Sequence, residues 1–77
     1  MLTVKFRNEL TRRTRNVECV EASVEPGEGT VTVVMKKPNG LPDESVRVRK
    51  TTDPETCEFH VAFVENAQGS TIQVVRP

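Results

Sequence analysis

The sequence predicts an all-β fold, a small antiparallel meander of about six strands curled into a partly closed barrel or a compact two-sheet sandwich. Three observations carry this expectation. Apolar and polar residues alternate with period two in separate short segments, the pattern of a half-buried strand. The apolar residues are chiefly valine, with three phenylalanines and no tryptophan or tyrosine, and valine, stiff at its first torsion, suits a pleated surface better than a helix. Short runs of glycine, proline and asparagine separate the segments, and no amphipathic stretch is long enough to cover a sheet as a helix. At 77 residues the chain makes one domain, residues 1–77, and a domain of this size buries only roughly 60% of the surface its unfolded chain exposes. A flat sheet would leave one face and two edges in water, hence the expectation that it curls or stacks.

The first strand is "LTVKFR", residues 2–7, with Leu2, Val4 and Phe6 turned one way and Thr3, Lys5 and Arg7 the other. "RNEL" follows as a turn, because Asn8 can bond the backbone two residues on and tolerates left-handed geometry. From Arg12 to Glu25 the chain reads as extended, with Val20, Ala22 and Val24 in one apolar row and Val17 and Cys19 in a shorter row of opposite parity. Such a switch marks a bulge, or a strand that leaves one sheet for another. "PGEG", residues 26–29, is a turn, and "TVTVVMKK" closes the second hairpin with Val31, Val33 and Met35 inward. "PNGLPDE", residues 38–44, is a loop in which Pro42 is placed to begin one helical turn. "SVRVRK" buries Val46 and Val48 and exposes Arg47 and Arg49. In the loop "TTDPET", Asp53 before Pro54 is set to cap a single helical turn. "CEFHVAFVE" is the most apolar strand and is expected to be central, with Cys57, Phe59, Val61 and Phe63 in the inward row and Ala62 and Val64 partly covering the other face. "NAQG" has the residues of a type I turn, and "STIQVVR" adds Ile72 and Val74 to the core.

Eleven basic residues balance eleven acidic ones, so no global field draws the chain to a polyanion or an anionic membrane. The N-terminus lacks the basic head and apolar run of a signal peptide, and nothing approaches the roughly 20 apolar residues of a membrane span. A soluble, cytoplasmic protein without membrane contact is expected. In that setting Cys19 and Cys57 are expected to be reduced and semi-buried, with a disulfide as the alternative. Two isolated cysteines and a single histidine at no recognised spacing do not make a metal site, and no motif asks for a cofactor. His60 is expected on the outward face as a surface or rim residue, with no serine or cysteine beside it to activate. No catalytic residue is assigned, and an enzyme is not expected. Glu18, Glu21, Glu25 and Glu28 read as solvated charge, since alternation sends Glu18 and Glu21 to opposite sides.

Arginine is what remains. "ELTRRTRNVE", residues 9–18, holds Arg12, Arg13 and Arg15. Extended backbone would put Arg13 and Arg15 on one face and Arg12 on the other, whereas an overhanging hairpin tip, wet on both faces, would present all three. They are either a solvated tip balanced by Glu9, Glu18 and Glu21 or a protrusion for a partner, given the enrichment of arginine at interfaces. A second cluster, Lys36, Lys37, Arg47, Arg49 and Lys50, is expected to place Arg47 and Arg49 near Lys36 on the outer face of a hairpin. Either Asp43, Glu44, Asp53 and Glu55 neutralise it or something outside the domain does. Phe6, Phe59 and Phe63 all fall on the inward parity, so recognition of single-stranded nucleic acid lacks its stacking platform. Val34, Val64 and Val75, on the outward parity, point to an apolar strip or the inner face of a second layer, and strand edges offer a route to self-association. The leading functional expectation is a non-enzymatic protein-interaction module, inhibitor-like or part of an assembly, of the character of phage and mobile-element accessory proteins. Its partner-binding residues would be Arg12, Arg13, Arg15, Arg47 and Arg49. The alternative is a small-barrel nucleic-acid binder that sets the same residues on phosphates.

Overall fold

A computed structural model describes residues 1–50 and 58–77. Among them run seven strands: β1 (Leu2–Arg7), β2 (Thr14–Cys19), β3 (Glu21–Pro26), β4 (Thr30–Lys36), β5 (Glu44–Arg49), β6 (Val61–Glu65) and β7 (Thr71–Val75). All pairings are antiparallel, in a four-stranded sheet of order β2-β1-β6-β7 and a three-stranded sheet of order β3-β4-β5. The fold is all-β, as the alternation predicts. No helix among the described residues is long and apolar enough to cross a membrane.

The parity switch in residues 12–25 is a change of sheet, which makes two strands of the single extended run and seven strands in place of six. Cys19 pairs with Leu2 in the first sheet, Glu21 pairs with Lys36 in the second, and the Val20 amide donates to the Lys36 carbonyl at 2.8 Å as the chain turns the corner. The barrel does not close. At the far end of the second sheet a hydrogen bond from the Arg49 amide to the Phe59 carbonyl (3.0 Å) reaches toward the first, but β6 then pairs with β1. The result is an open two-sheet sandwich.

Its core lies between the sheets. Val4, Phe6, Val17, Cys19, Ala62, Val64 and Val75 face it from the first sheet, Val31, Val33, Met35 and Val48 from the second. Phe59 fills the end and meets Phe6 with ring centroids 5.5 Å apart. Ala22, Val24 and Val46 are half-buried against this cluster.

The expected inward rows of β6 and β7 hold only at Val61, which is fully buried; Phe63, Ile72 and Val74 turn out and Ala62, Val64 and Val75 turn in. The register Val4↔Val64 and Phe6↔Ala62 turns Ala62 and Val64 inward, and Val75, opposite Ala62, follows them. Phe63 falls on the outer face beside Val74, and Ile72 and Val74 are 58% and 53% exposed. Val64 and Val75 therefore contribute to the core and not to an outer strip; Val34 is half-buried on the outer side of β4. The physical reason is that residues 58–60 are irregular, and period two carries a row of side chains only within an unbroken strand. Counting from Phe59 through that stretch misfaces Phe63, Ile72 and Val74, although Val61 is buried as expected.

Turn chemistry is local and mostly legible. The Gly27 amide bonds Thr30 O, and the Gly69 amide bonds Asn66 O at 3.0 Å, closing "NAQG" as expected. Pro42 begins no helical turn. The β4–β5 loop turns earlier, at Pro38–Leu41, where Asn39 and Gly40 have φ of 61° and 72°. Asn-Gly accepts left-handed backbone at both positions, which decides the loop before Pro42 is reached. The expected cap at Asp53 and Pro54 lies outside the described residues, as does Cys57.

Candidate interaction site at the arginine end

Asn8 builds this end of the molecule. It is nearly buried, and every polar atom it carries is used: its Oδ1 accepts from the Leu10 and Thr11 amides at 2.9 and 3.0 Å, and its Nδ2 donates to the Glu58 carbonyl at 3.0 Å. Its amide donates to Arg13 O, and its carbonyl accepts from the Arg12 amide. The connection from Asn8 to Arg13 is thus a closed hairpin loop pinned to the segment before β6. Arg12 sits in the left-handed region at φ 65°, a conformation that costs a side-chain-bearing residue roughly 1 kcal/mol or more.

Arg12, Arg13 and Arg15 therefore do not divide between the faces of an extended strand. Arg12 and Arg13 lie on the loop, exposed, with no ion pair among the described residues. Arg15, in β2 opposite Phe6, turns toward the second sheet and bonds Glu44 Oε2 at the start of β5. Lys37 Nζ holds the other oxygen of Glu44 at 2.7 Å. These two cations, Lys37 first, lower the Glu44 pKa from its ordinary value of 4.5.

Arg15 and Glu44, with Ser45, Val46, Arg47, Arg49 and Glu58, line a groove of about 400 Å³. It runs beside β5, an edge strand of the second sheet. Three of the arginines singled out in the sequence thus meet in one concavity, and two more occupy the adjoining loop. Lys36 does not join them: Arg47 pairs with Thr32 and Arg49 with Thr30, while Lys36 pairs with Glu21. Four residues along β4 separate the two, roughly 13 Å at strand rise. Glu58 is the part of the groove to which the sequence did not point. The Asn8 turn had a local signal, but its bond to Glu58 spans 50 residues and had none.

His60 is not a rim residue. It is 2% exposed, and its Nδ1 accepts from the Glu9 amide at 3.0 Å. Its Nε2 has no hydrogen-bond partner among the described residues. The expected outward parity fails because His60 precedes β6, where the chain crosses beneath the hairpin loop: its amide donates to Arg7 O at 2.9 Å. Glu9 also holds Arg76, with Nη1 to Oε1 at 2.6 Å, and this bond lowers the carboxyl pKa and raises that of the guanidinium. Cys19 is a free thiol, wholly buried in the core, and burial raises its pKa.

A second, shallower groove of about 300 Å³ lies on the outer face of the first sheet, lined by Lys5, Phe6, Arg7, Thr14, Asn16 and Phe63. Lys5 pairs across the strands with Phe63 and forms an ion pair with Glu65 at 3.3 Å. One of the three phenylalanines is thus half-exposed beside basic side chains, contrary to the expected inward parity.

No protein-family model, curated protein or solved structure matches this chain.

Proposed function

We propose that this chain is a non-enzymatic protein-interaction module, and that it takes an extended, acidic segment of another protein into the groove beside β5. The observation that carries the reading is the convergence of Arg15, Arg47 and Arg49 on one groove along a strand edge. An edge strand offers backbone donors and acceptors to an added strand, and guanidinium groups bind carboxylates through two parallel hydrogen bonds. Arg12 and Arg13, on a loop fixed by Asn8, supply further positive charge at the same end. Glu44 and Glu58 temper the groove, disfavouring simple polyanions that lack matching spacing. His60 supports the non-enzymatic side of the reading, since its Nδ1 is occupied by the Glu9 amide and it is closed to solvent. A cytoplasmic location and an assembly or inhibitory role belong to the same proposal.

The test is selection from a displayed library of random ten-residue peptides against the whole protein. The reading expects enrichment of Asp and Glu at alternate positions, the period of a strand, and at least tenfold weaker binding to Arg47→Ala. Peptides without acidic enrichment, or unchanged binding to that variant, would overturn it.

Nucleic-acid binding remains a second reading because of Phe63 beside Lys5 and Arg7. Base stacking on an exposed ring contributes roughly 1 to 3 kcal/mol per base. Anisotropy of labelled single-stranded oligonucleotides at low and physiological salt decides it. This reading requires a steep salt dependence and a loss of affinity in Phe63→Ala, and absence of binding at low salt removes it.

A further inference from the structure

We propose that β7 is a self-association edge, along which two copies of the chain pair antiparallel about Gln73 and join their four-stranded sheets into one continuous sheet.

The edges of the two sheets are not alike. β2 carries Arg15 and Glu18, β3 carries Glu21 and Glu25 and ends in Pro26, and β5 carries Glu44, Arg47 and Arg49. Charge and proline on an edge strand discourage its pairing with the same edge of a second copy, where like charges meet. β7 is "TIQVV", and no charged residue stands between Glu65 and Arg76. It is also the edge with large apolar side chains in water: Ile72 and Val74 are 58% and 53% exposed. Phe63, opposite Val74, extends this strip inward across the outer face.

A second copy fits this edge better than a charged segment would. The ladder of β7 shifts at Ile72, which the step between Val64 and Glu65 leaves without a partner in β6. With Ile72 so freed on the open side, an antiparallel pair centred on Gln73 places Ile72 opposite Val74 of the partner subunit and Val74 opposite Ile72 of the partner subunit. Both apolar pairs then fall on one face. The two Gln73 side chains meet across the axis, where each amide can donate to and accept from the other. Such a contact is isologous, closes at two copies and brings no like charges together. The first charge beyond the paired segment, Arg76, is already held by Glu9. One five-residue strand and two side chains per copy make a contact at or below the roughly 1,200 Å² where stable interfaces begin. The dimer is accordingly expected at micromolar concentrations and above. The arginine groove lies on the other sheet's edge and does not enter the pairing, so this inference stands apart from the proposed function.

Sedimentation equilibrium from low micromolar to millimolar protein tests it, with circular dichroism to verify the fold. Wild-type protein should show a monomer–dimer equilibrium. Gln73→Lys and Gln73→Glu should each weaken association at least tenfold by placing like charges face to face, and an equimolar mixture of the two should restore it. Ile72→Thr, altering a side chain already in solvent, should weaken it several-fold and reports independently should a charged variant fail to fold. A wild-type protein that stays monomeric to millimolar concentration, charged variants that associate as well as wild type, or a mixture that does not recover would each overturn the proposal.

Discussion

Asn8 contributes more to the arginine end than any arginine does. Its side chain satisfies two amides of the loop and one carbonyl of the segment before β6, so replacing it strands three polar groups at a partly buried site. Asn8→Ala should lower stability by about 2 to 3 kcal/mol, measurable by urea denaturation, and should sharply increase hydrogen exchange at the Leu10 and Thr11 amides. A loss below about 0.5 kcal/mol would show that the loop is held by other contacts. Half of this role was readable, because asparagine before a hairpin loop bonds backbone two residues on. The other half was not, because nothing near Asn8 in sequence indicates that residues 58–60 pass beneath it. The same crossing buries His60, whose local pattern read as outward.

Among the elements, β6 and β7 show how an apolar strand can be placed correctly and faced wrongly. Both segments are strands, and β6 is interior to its sheet as expected. Their facing was set by pairing with β1, which turns Val64 in and Phe63 out. Stability measurements can check this directly. Val64→Ala should cost about 2 to 3 kcal/mol, for lost burial and the cavity left behind. Val74→Thr should change stability by no more than about 0.5 kcal/mol, measured at submicromolar protein to keep self-association out of the comparison. The reverse order would restore the parity read from sequence. β1 through β5 were faced correctly where strands are unbroken: Val4, Phe6, Val31, Val33, Met35 and Val48 are all buried.

At the scale of the whole molecule, the open sandwich is tied across its mouth by charge. Arg15 belongs to the first sheet and Glu44 to the second, and Lys37 holds Glu44 from the loop after β4. Because Lys37 and Arg15 lower the folded-state pKa of Glu44, its ionised form stabilises the fold above the unfolded value of about 4.5. That contribution disappears as pH falls through the folded value. Partial exposure of all three side chains limits the effect to below about 1 kcal/mol. Thermal melts from pH 7 to pH 2.5 should show wild type losing stability below about pH 4.5 more steeply than Glu44→Gln, with the two curves converging at the acid end. Parallel curves throughout would mean that the bridge adds nothing. The groove that this pair helps to line is a whole-molecule feature in the same sense, since its walls come from β2, β5 and Glu58.

By itself the sequence determined the class of fold, most of the strands, the turns at Asn8, Gly27 and Asn66, the break in parity near Val20 that is either a bulge or a change of sheet, and the arginines to consider. Each of these is written in neighbouring residues, through period two, turn preference or charge. Tertiary structure alone decided which faces of β6 and β7 are buried, where His60 lies, and which charges meet. Arg15 was drawn to Glu44 and the β5 groove, Lys36 was left with Glu21, and Phe63 was turned outward beside Lys5. The facing of Phe63 depends on β1 pairing with a strand more than fifty residues away, and a pairing of that range leaves no periodic trace in either segment.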